Sequence, residues 1–405
     1  MKSRPGHLVL ALTYLGFVSL GLREAAMGVA WPSVRDTFAL PQTAFGAIFI
    51  ASAAGYFTSS FFTGRLKDIM GIGALLLGGS ALVTAGLAGY TLTPFWFVFV
   101  ACALITGLGS GALDSGMNAY GASHFSPSHM NWMHAAFGVG ATVGPLIMTG
   151  VLAQGWSWRW GYAAALAVFL FMTGALVWTR RSWDDPPGTS AKDDLNHSVS
   201  MRAALKHPAI WLQGMLFFIY TGLEVAAGQW AFTLYTESRD VEVSVAGIWV
   251  SVYWASLAAG RILFGFVVKK TGILPLLRLA MGGALAGALL FALPSHNLVS
   301  FIGFALMGLS LAPIFPSLMA DTPRRMGAGY AAHAVGFQVS AAVVGAAVLP
   351  SLAGFLGQRF GLEAIVFVIA AVAATQVAVH ELLVRLNNRR ANNRHWNPRG
   401  NARCL

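Results

Sequence analysis

Charge is scarce in this sequence. Only 10% of its 405 residues are Asp, Glu, Lys or Arg and 56% are hydrophobic, whereas an ordinary soluble domain carries about 25% charged residues. That shortage excludes a typical water-soluble fold. Cysteine is scarcer still: Cys102 lies inside an apolar run and Cys404 in the tail, so neither a disulfide framework nor a cysteine metal site is expected. No glycine-rich run leads into Gly-Lys-Ser or Gly-Lys-Thr, which argues against direct use of ATP. Segments of about ten residues alternating apolar and polar, the pattern of an outer-membrane barrel, are missing as well.

Long apolar runs are what the sequence has. A hydrocarbon core about 30 Å thick needs about 20 apolar residues per helix. Such runs stand near 8–31, 43–63, 72–92, 95–121, 132–153, 160–178, 209–235, 245–267, 274–293, 298–319, 330–356 and 362–384. An all-α membrane protein of twelve transmembrane helices is therefore predicted. The first run follows Lys2 and Arg4, as a signal peptide would, but it outlasts the roughly 7–15 residues of a signal h-region and carries Arg23 and Glu24. It is expected to stay attached.

The net charge of +11 has a membrane explanation. With the N-terminus inside, Lys2, Arg65, Lys67, Arg180, Arg181, Lys269, Lys270, Arg278 and the basic tail after Arg385 fall on one side, and Arg35, Arg159, Arg239 and Arg359 on the other. This is the positive-inside pattern of membrane topology, not a nucleic-acid surface. Both termini are expected in the cytoplasm and the chain in a bacterial inner membrane. The tail is read as a topology signal, with anionic lipid as the alternative partner.

Polar sequence with Asp184, Asp185, Pro186 and Pro187 separates six spans from six more. The expected divisions are a first bundle, 1–182, a linker, 183–207, a second bundle, 208–385, and a basic tail, 386–405. The halves echo each other at an offset of 201 residues: Gly21-Leu22 faces Gly222-Leu223, Gly64 and Gly71 face Gly265 and Gly272, and Gly107-Leu108 faces Gly308-Leu309. Internal repeats of this kind mark transporters whose two pseudo-symmetric halves move about a central site.

The stretch Gly64-Arg65-Leu66-Lys67-Asp68-Ile69-Met70-Gly71 resembles the signature between the second and third helices of the major facilitator superfamily. The likeness covers essentially the whole chain. Ile72 stands where that signature usually has a basic residue. Glycines closing a tight turn with Asp68 as a helix cap would need only local physics. Gly107 to Asn118, Asn131 to Gly138, Tyr220 to Glu224, Tyr253-Trp254, Gly260-Arg261 and Ala312 to Pro316 resemble, more narrowly, the fucose/proton symporter family and its bacterial relatives. That likeness implies proton-coupled sugar uptake. It also aligns Glu24 with a family aspartate and Asp114 with an acidic residue tied there to proton-coupled substrate binding.

A charge in the bilayer costs at least about 2.5–3.5 kcal/mol, so each one asks for a partner, water or a role. Sorting the acids by position leaves Glu24, Asp114 and Glu224 well inside spans, with Arg23 as the one deep cation. The three carboxylates are the expected proton-coupling residues, because a desolvated carboxylate can load and release a proton near neutral pH. Arg23, a departure from the family pattern, points about 100° away from Glu24 on a helix. Its expected partner is a carboxylate on another helix, Asp114 or Glu224, or else an anionic substrate.

Asn118, Tyr220, Gln229, Trp230, Tyr253 and Trp254, with Arg23, complete the expected substrate site. Aromatic faces and amides suit a polyhydroxylated solute, although Trp and Tyr near span ends also serve as interfacial anchors. His134 and His333 are alternative proton relays. Pro313 and Pro316 are expected to interrupt the tenth span where it lines a cavity. The leading expectation is a monomeric, non-enzymatic carrier without cofactor or metal. It would exchange a small solute and a coupling proton, with sodium as the alternative ion. A proton-coupled exporter, to which Gly144-Pro145 within Gly140 to Gly150 lends a loose antiporter likeness, and a non-transporting membrane sensor are the other readings.

Overall fold

The computed structural model describes residues 6–183, 208–294, 296–326 and 328–395. The expected linker from 184 onward and the tail beyond 395 lie outside the described residues. Among the described residues thirteen α-helices follow one another: α1 His7–Thr37, α2 Phe45–Met70, α3 Ile72–Leu92, α4 Trp96–His124, α5 Pro127–Ala153, α6 Arg159–Thr179, α7 Pro208–Glu237, α8 Val243–Thr271, α9 Ile273–Phe291, α10 Asn297–Leu311, α11 Ile314–Met326, α12 Ala328–Phe360 and α13 Ala364–His395. They supply twelve spans long and apolar enough to cross a bilayer, with α10 and α11 together forming the tenth. The chain is a multi-pass membrane protein.

Each expected span has its helix, and the differences lie at the ends. α1 runs through Pro32 to Thr37, six residues beyond the expected end; Pro32 has no N–H to give the Gly28 carbonyl one turn earlier, yet the helix continues. The tenth span does break where its prolines remove backbone donors, α10 stopping at Leu311 and α11 starting at Ile314. Phe61, Phe97, Phe171, Trp178 and Phe367 are exposed on the outside, as residues facing lipid hydrocarbon must be.

The expected Gly64–Gly71 loop is corrected. Gly64 and Asp68 both lie within α2, and only Gly71 leaves the helix, with φ 82 and ψ 160, as the backbone joint to α3. Asp68 caps nothing there, since the cap position of α3 is Gly71 itself. Gly272 repeats the joint with φ 77, and Ala39 and Asp240 share φ values of 51 and 52. Both pairs stand 201 residues apart. Packing repeats too: α1 with α5 and α2 with α4 in the first half correspond to α7 with α12 and α8 with α10 in the second.

Close contacts described between the halves run from mid-membrane to the face opposite the termini. Gly138 meets Ala258 and Gly247 meets Thr149 between α5 and α8. At the opposite face Arg35 pairs with Glu237 at 2.8 Å. Gln42 accepts from the Trp31 indole (2.9 Å), donates its side-chain nitrogen to Glu237 (2.9 Å), and donates its backbone N–H to Gln358 (2.7 Å). Beneath this polar clasp Trp31 stacks on Phe45, which meets Trp230 edge-on at 5.2 Å.

Candidate functional site

α1 places Glu24 near its middle. Leu22, Arg23 and residues 25–31 are buried, but Glu24 is exposed, so its side chain opens into a central cavity. Its electrostatic neighbours are Arg23, Glu224 and Asp114, which brings the three expected carboxylates to one place. The backbone carbonyl of Glu24 accepts a hydrogen bond from the Gln229 side chain at 3.0 Å, and that bond crosses the seam between the halves.

Asp114 sits on α4 above a glycine seam. A Cβ at Gly107 would come within 2.1 Å of the Ser52 carbonyl, and one at Gly111 within 2.4 Å of the Tyr56 carbonyl, so the absent side chains let α4 press on α2. That approach delivers the Tyr56 hydroxyl to Asp114 at 2.5 Å, while the Asn118 amide donates to the other carboxylate oxygen at 3.1 Å. Both carboxyl oxygens thus have a hydrogen-bonding partner. Tyr56 was not among the expected site residues; its i, i+4 relation to Ser60 says nothing about a carboxylate two helices away.

In the other half Glu224 accepts from the Tyr220 hydroxyl and stands 3.8 Å from the Arg261 guanidinium. Arg261 also lies in interaction range of Tyr220. The expectation of one deep cation is therefore corrected: Arg261, on α8, is a second, and it takes the carboxylate that Arg23 was expected to find. Arg23 instead turns into the first half, where it is buried, reaches Thr106 at 3.4 Å and lies near Tyr90 and Tyr162. Its Nε has no hydrogen-bond partner. Helical geometry explains the outcome, because a neighbour of cavity-facing Glu24 is rotated about 100° toward the bundle interior.

The aromatic expectations divide. Trp230 is fully buried, donates to the Pro350 carbonyl at 2.9 Å and packs against Gly354, so it is a strut under the closed face. Tyr253 stacks on Phe304 with centroids 4.3 Å apart and donates to the Glu224 carbonyl at 2.9 Å; it too is packing. Trp254 and Gln229 are buried, yet Trp254 Nε1 and Gln229 Oε1 lack partners, leaving a donor and an acceptor unused near the seam. His134 is exposed, stands edge-on to Phe17 at 5.4 Å, and has Asp114 and Arg261 as charged neighbours. The His333 side chain lies outside the described residues. Among the described residues no cluster of His, Cys, Asp or Glu could hold a metal ion.

Comparison with known proteins gives the same picture. The description "Major Facilitator Superfamily" matches residues 13–345. Over 389 residues the chain is 23% identical to "Bypass of stop codon protein 6" of Saccharomyces cerevisiae, covering 86% of this chain and 76% of that protein. It is 20% identical over 313 residues to the glucose/mannose transporter GlcP of Bacillus subtilis, covering 75% and 77%. Among solved structures it is similar to the nucleoside transporter NupG, with a TM-score of 0.75, 13% identity and 93% and 100% coverage. It is also similar to FucP, a transporter solved in the outward conformation, with a TM-score of 0.63, 17% identity and 93% and 97% coverage.

Proposed function

The chain belongs to the Major Facilitator Superfamily, a transporter of small solutes and not an enzyme, and from that premise we propose that it is a proton-coupled symporter of a small polar solute such as a sugar. Bundles 1–182 and 208–385 would rock about the seam joined by the 183–207 linker, giving alternating access to the Glu24 cavity. The protein would act as a monomer in a bacterial inner membrane with both termini in the cytoplasm, which would place the clasp of Arg35, Gln42 and Glu237 on the outer face.

The carrying observation is Glu24, exposed at mid-membrane in a helix otherwise buried around it and grouped with Asp114 and Glu224. A carboxylate that meets both solvent and the moving seam can exchange its proton with whichever side is open. The glucose/mannose transporter among the relatives supports a sugar as cargo. Export is less favoured, because Gly140 and Gly144 pack on the Val18 and Leu22 carbonyls of α1 and so have a role within one half.

In proteoliposomes, an inward proton gradient should drive uphill solute uptake that Glu24→Gln or Asp114→Asn abolishes while equilibrium exchange persists. Undiminished uphill uptake in both variants would rule out proton coupling through these groups. Uptake that needs sodium and ignores a protonophore would reassign the ion, and any solute-dependent proton flux rejects the sensor.

A further inference from the structure

Arg261 is a guanidinium with its work half done. The 3.8 Å separation from Glu224 is an ion-pair distance but exceeds the roughly 2.7–3.2 Å of a formed hydrogen bond. One oxygen of Glu224 is already taken by Tyr220. A quarter of the Arg261 side chain is exposed, although the residue sits inside a membrane span, so part of its five-donor fork faces the cavity. His134 approaches from the other half, exposed and with Arg261 among its charged neighbours. A guanidinium and an imidazole thus approach the cavity from opposite halves.

Charge balance says what should lie between them. If Glu24 and Asp114 are the proton carriers, their neutralisation leaves Arg23 and Arg261 against Glu224, one positive charge in excess at the middle of the bilayer. Such a charge is costly unless compensated. A neutral sugar does not compensate it; a monoanion does. A phosphate ester, carrying about −1.5 to −2 near neutral pH, overshoots, and a planar carboxylate matches the guanidinium fork in shape. We propose that the solute is a monocarboxylate on a polar, hydroxylated body, such as a sugar acid, and that Arg261, with His134 opposite, holds the carboxylate. This deepens the proton-symport reading and rests on it. It moves the anion site from buried Arg23 to Arg261 and gives the protons a second use: they make room for the cargo's charge.

The test is equilibrium binding by calorimetry to the full chain in nanodiscs, comparing D-glucuronate and D-galacturonate with D-glucose, D-galactose, glucuronamide and glucose 6-phosphate. At least one uronate should bind about tenfold or more tightly than its neutral hexose and, for glucuronate, than the isosteric amide, as one charge-assisted hydrogen bond is worth. In the double variant R261Q/E224Q, which removes both charges and keeps a hydrogen-bonding couple, uronate and hexose should bind alike. Hexose binding there shows that the site is still folded. Equal binding of uronates and hexoses by the unaltered protein, tighter binding of the phosphate, or a uronate preference that survives in the double variant overturns the proposal. These measurements use no gradient, so a failed coupling reading shows instead in the Glu24→Gln and Asp114→Asn flux assays. Binding of none of the six overturns both this proposal and a sugar as cargo.

Discussion

Glu363, in the turn before α13, shows how one ion pair can be read for pH. Partial burial pushes its carboxyl up, but the Arg239 guanidinium and the Ser238 hydroxyl outweigh this and hold it below the usual carboxylate range. Arg239 donates to both oxygens, at 2.8 and 2.7 Å, and ties the turn to Ser300 and the Phe291 carbonyl. A carboxyl whose folded pKa is depressed stabilises fully above its unfolded value, about 4.3, and loses that contribution as pH falls through the folded value. Thermal unfolding in detergent should therefore fall below about pH 4.3, and Glu363→Gln should flatten that dependence. At this scale the sequence told half the story. The deep acids were legible because any charge in a long apolar run is conspicuous. Their partners were not, because Tyr56, Arg261 and Thr106 reach the site through helix packing, which no local pattern encodes.

Helices were legible almost throughout, since spans of about 20 apolar residues are set by bilayer thickness. Their joints were not, because a helix entering the polar face no longer carries a hydropathy signal. The two glycines of the α2 end separate the possibilities. Gly71 has a φ of 82 and a ψ of 160, while Gly64 is helical with open space where a Cβ would sit. Gly71→Ala should cost about 1–3 kcal/mol, because its backbone lies in a positive-φ, extended region that is essentially confined to glycine, whereas Gly64→Ala should stabilise by roughly 0.5–1 kcal/mol. Equal melting temperatures for the two variants would refute the assignment of Gly71 as the sole joint. The same blindness explains Trp230: an aromatic several residues before the expected span end at Tyr235 reads as cavity lining from the sequence, and only the neighbouring Pro350 and Gly354 of α12 reveal the strut.

For the whole molecule, the clasp at the face opposite the termini decides which state is populated. Gln42 uses its carbonyl, its amide nitrogen and its backbone N–H at once, on Trp31, Glu237 and Gln358, and opening that face must break at least the bonds that span the halves. Alanine at 42 keeps the backbone N–H to Gln358 and removes the one side-chain bond that spans the halves, to Glu237; a net hydrogen bond is worth about 0.5–1.5 kcal/mol, so the open fraction should rise roughly two- to tenfold. Gln42→Ala should therefore lengthen spin-label distances between the α1–α2 and α12–α13 turns and raise labelling from that side. Distances unchanged from wild type would mean that the aromatic layer, not the clasp, holds the face shut.

The matched backbone turns, Ala39 with Asp240 and Gly71 with Gly272, bear on ancestry. Shifted by the same 201 residues, Arg23 falls on Glu224, Glu24 on Val225, Ser60 on Arg261 and Asp114 on Phe315. A duplicated ancestor would have handed both copies one scaffold, on which the site then specialised: the first copy holds the two acids assigned to the proton, the second the pair assigned to the cargo. Grafting the acids of one half onto the other would, on that history, restore a symmetry that the working carrier has given up.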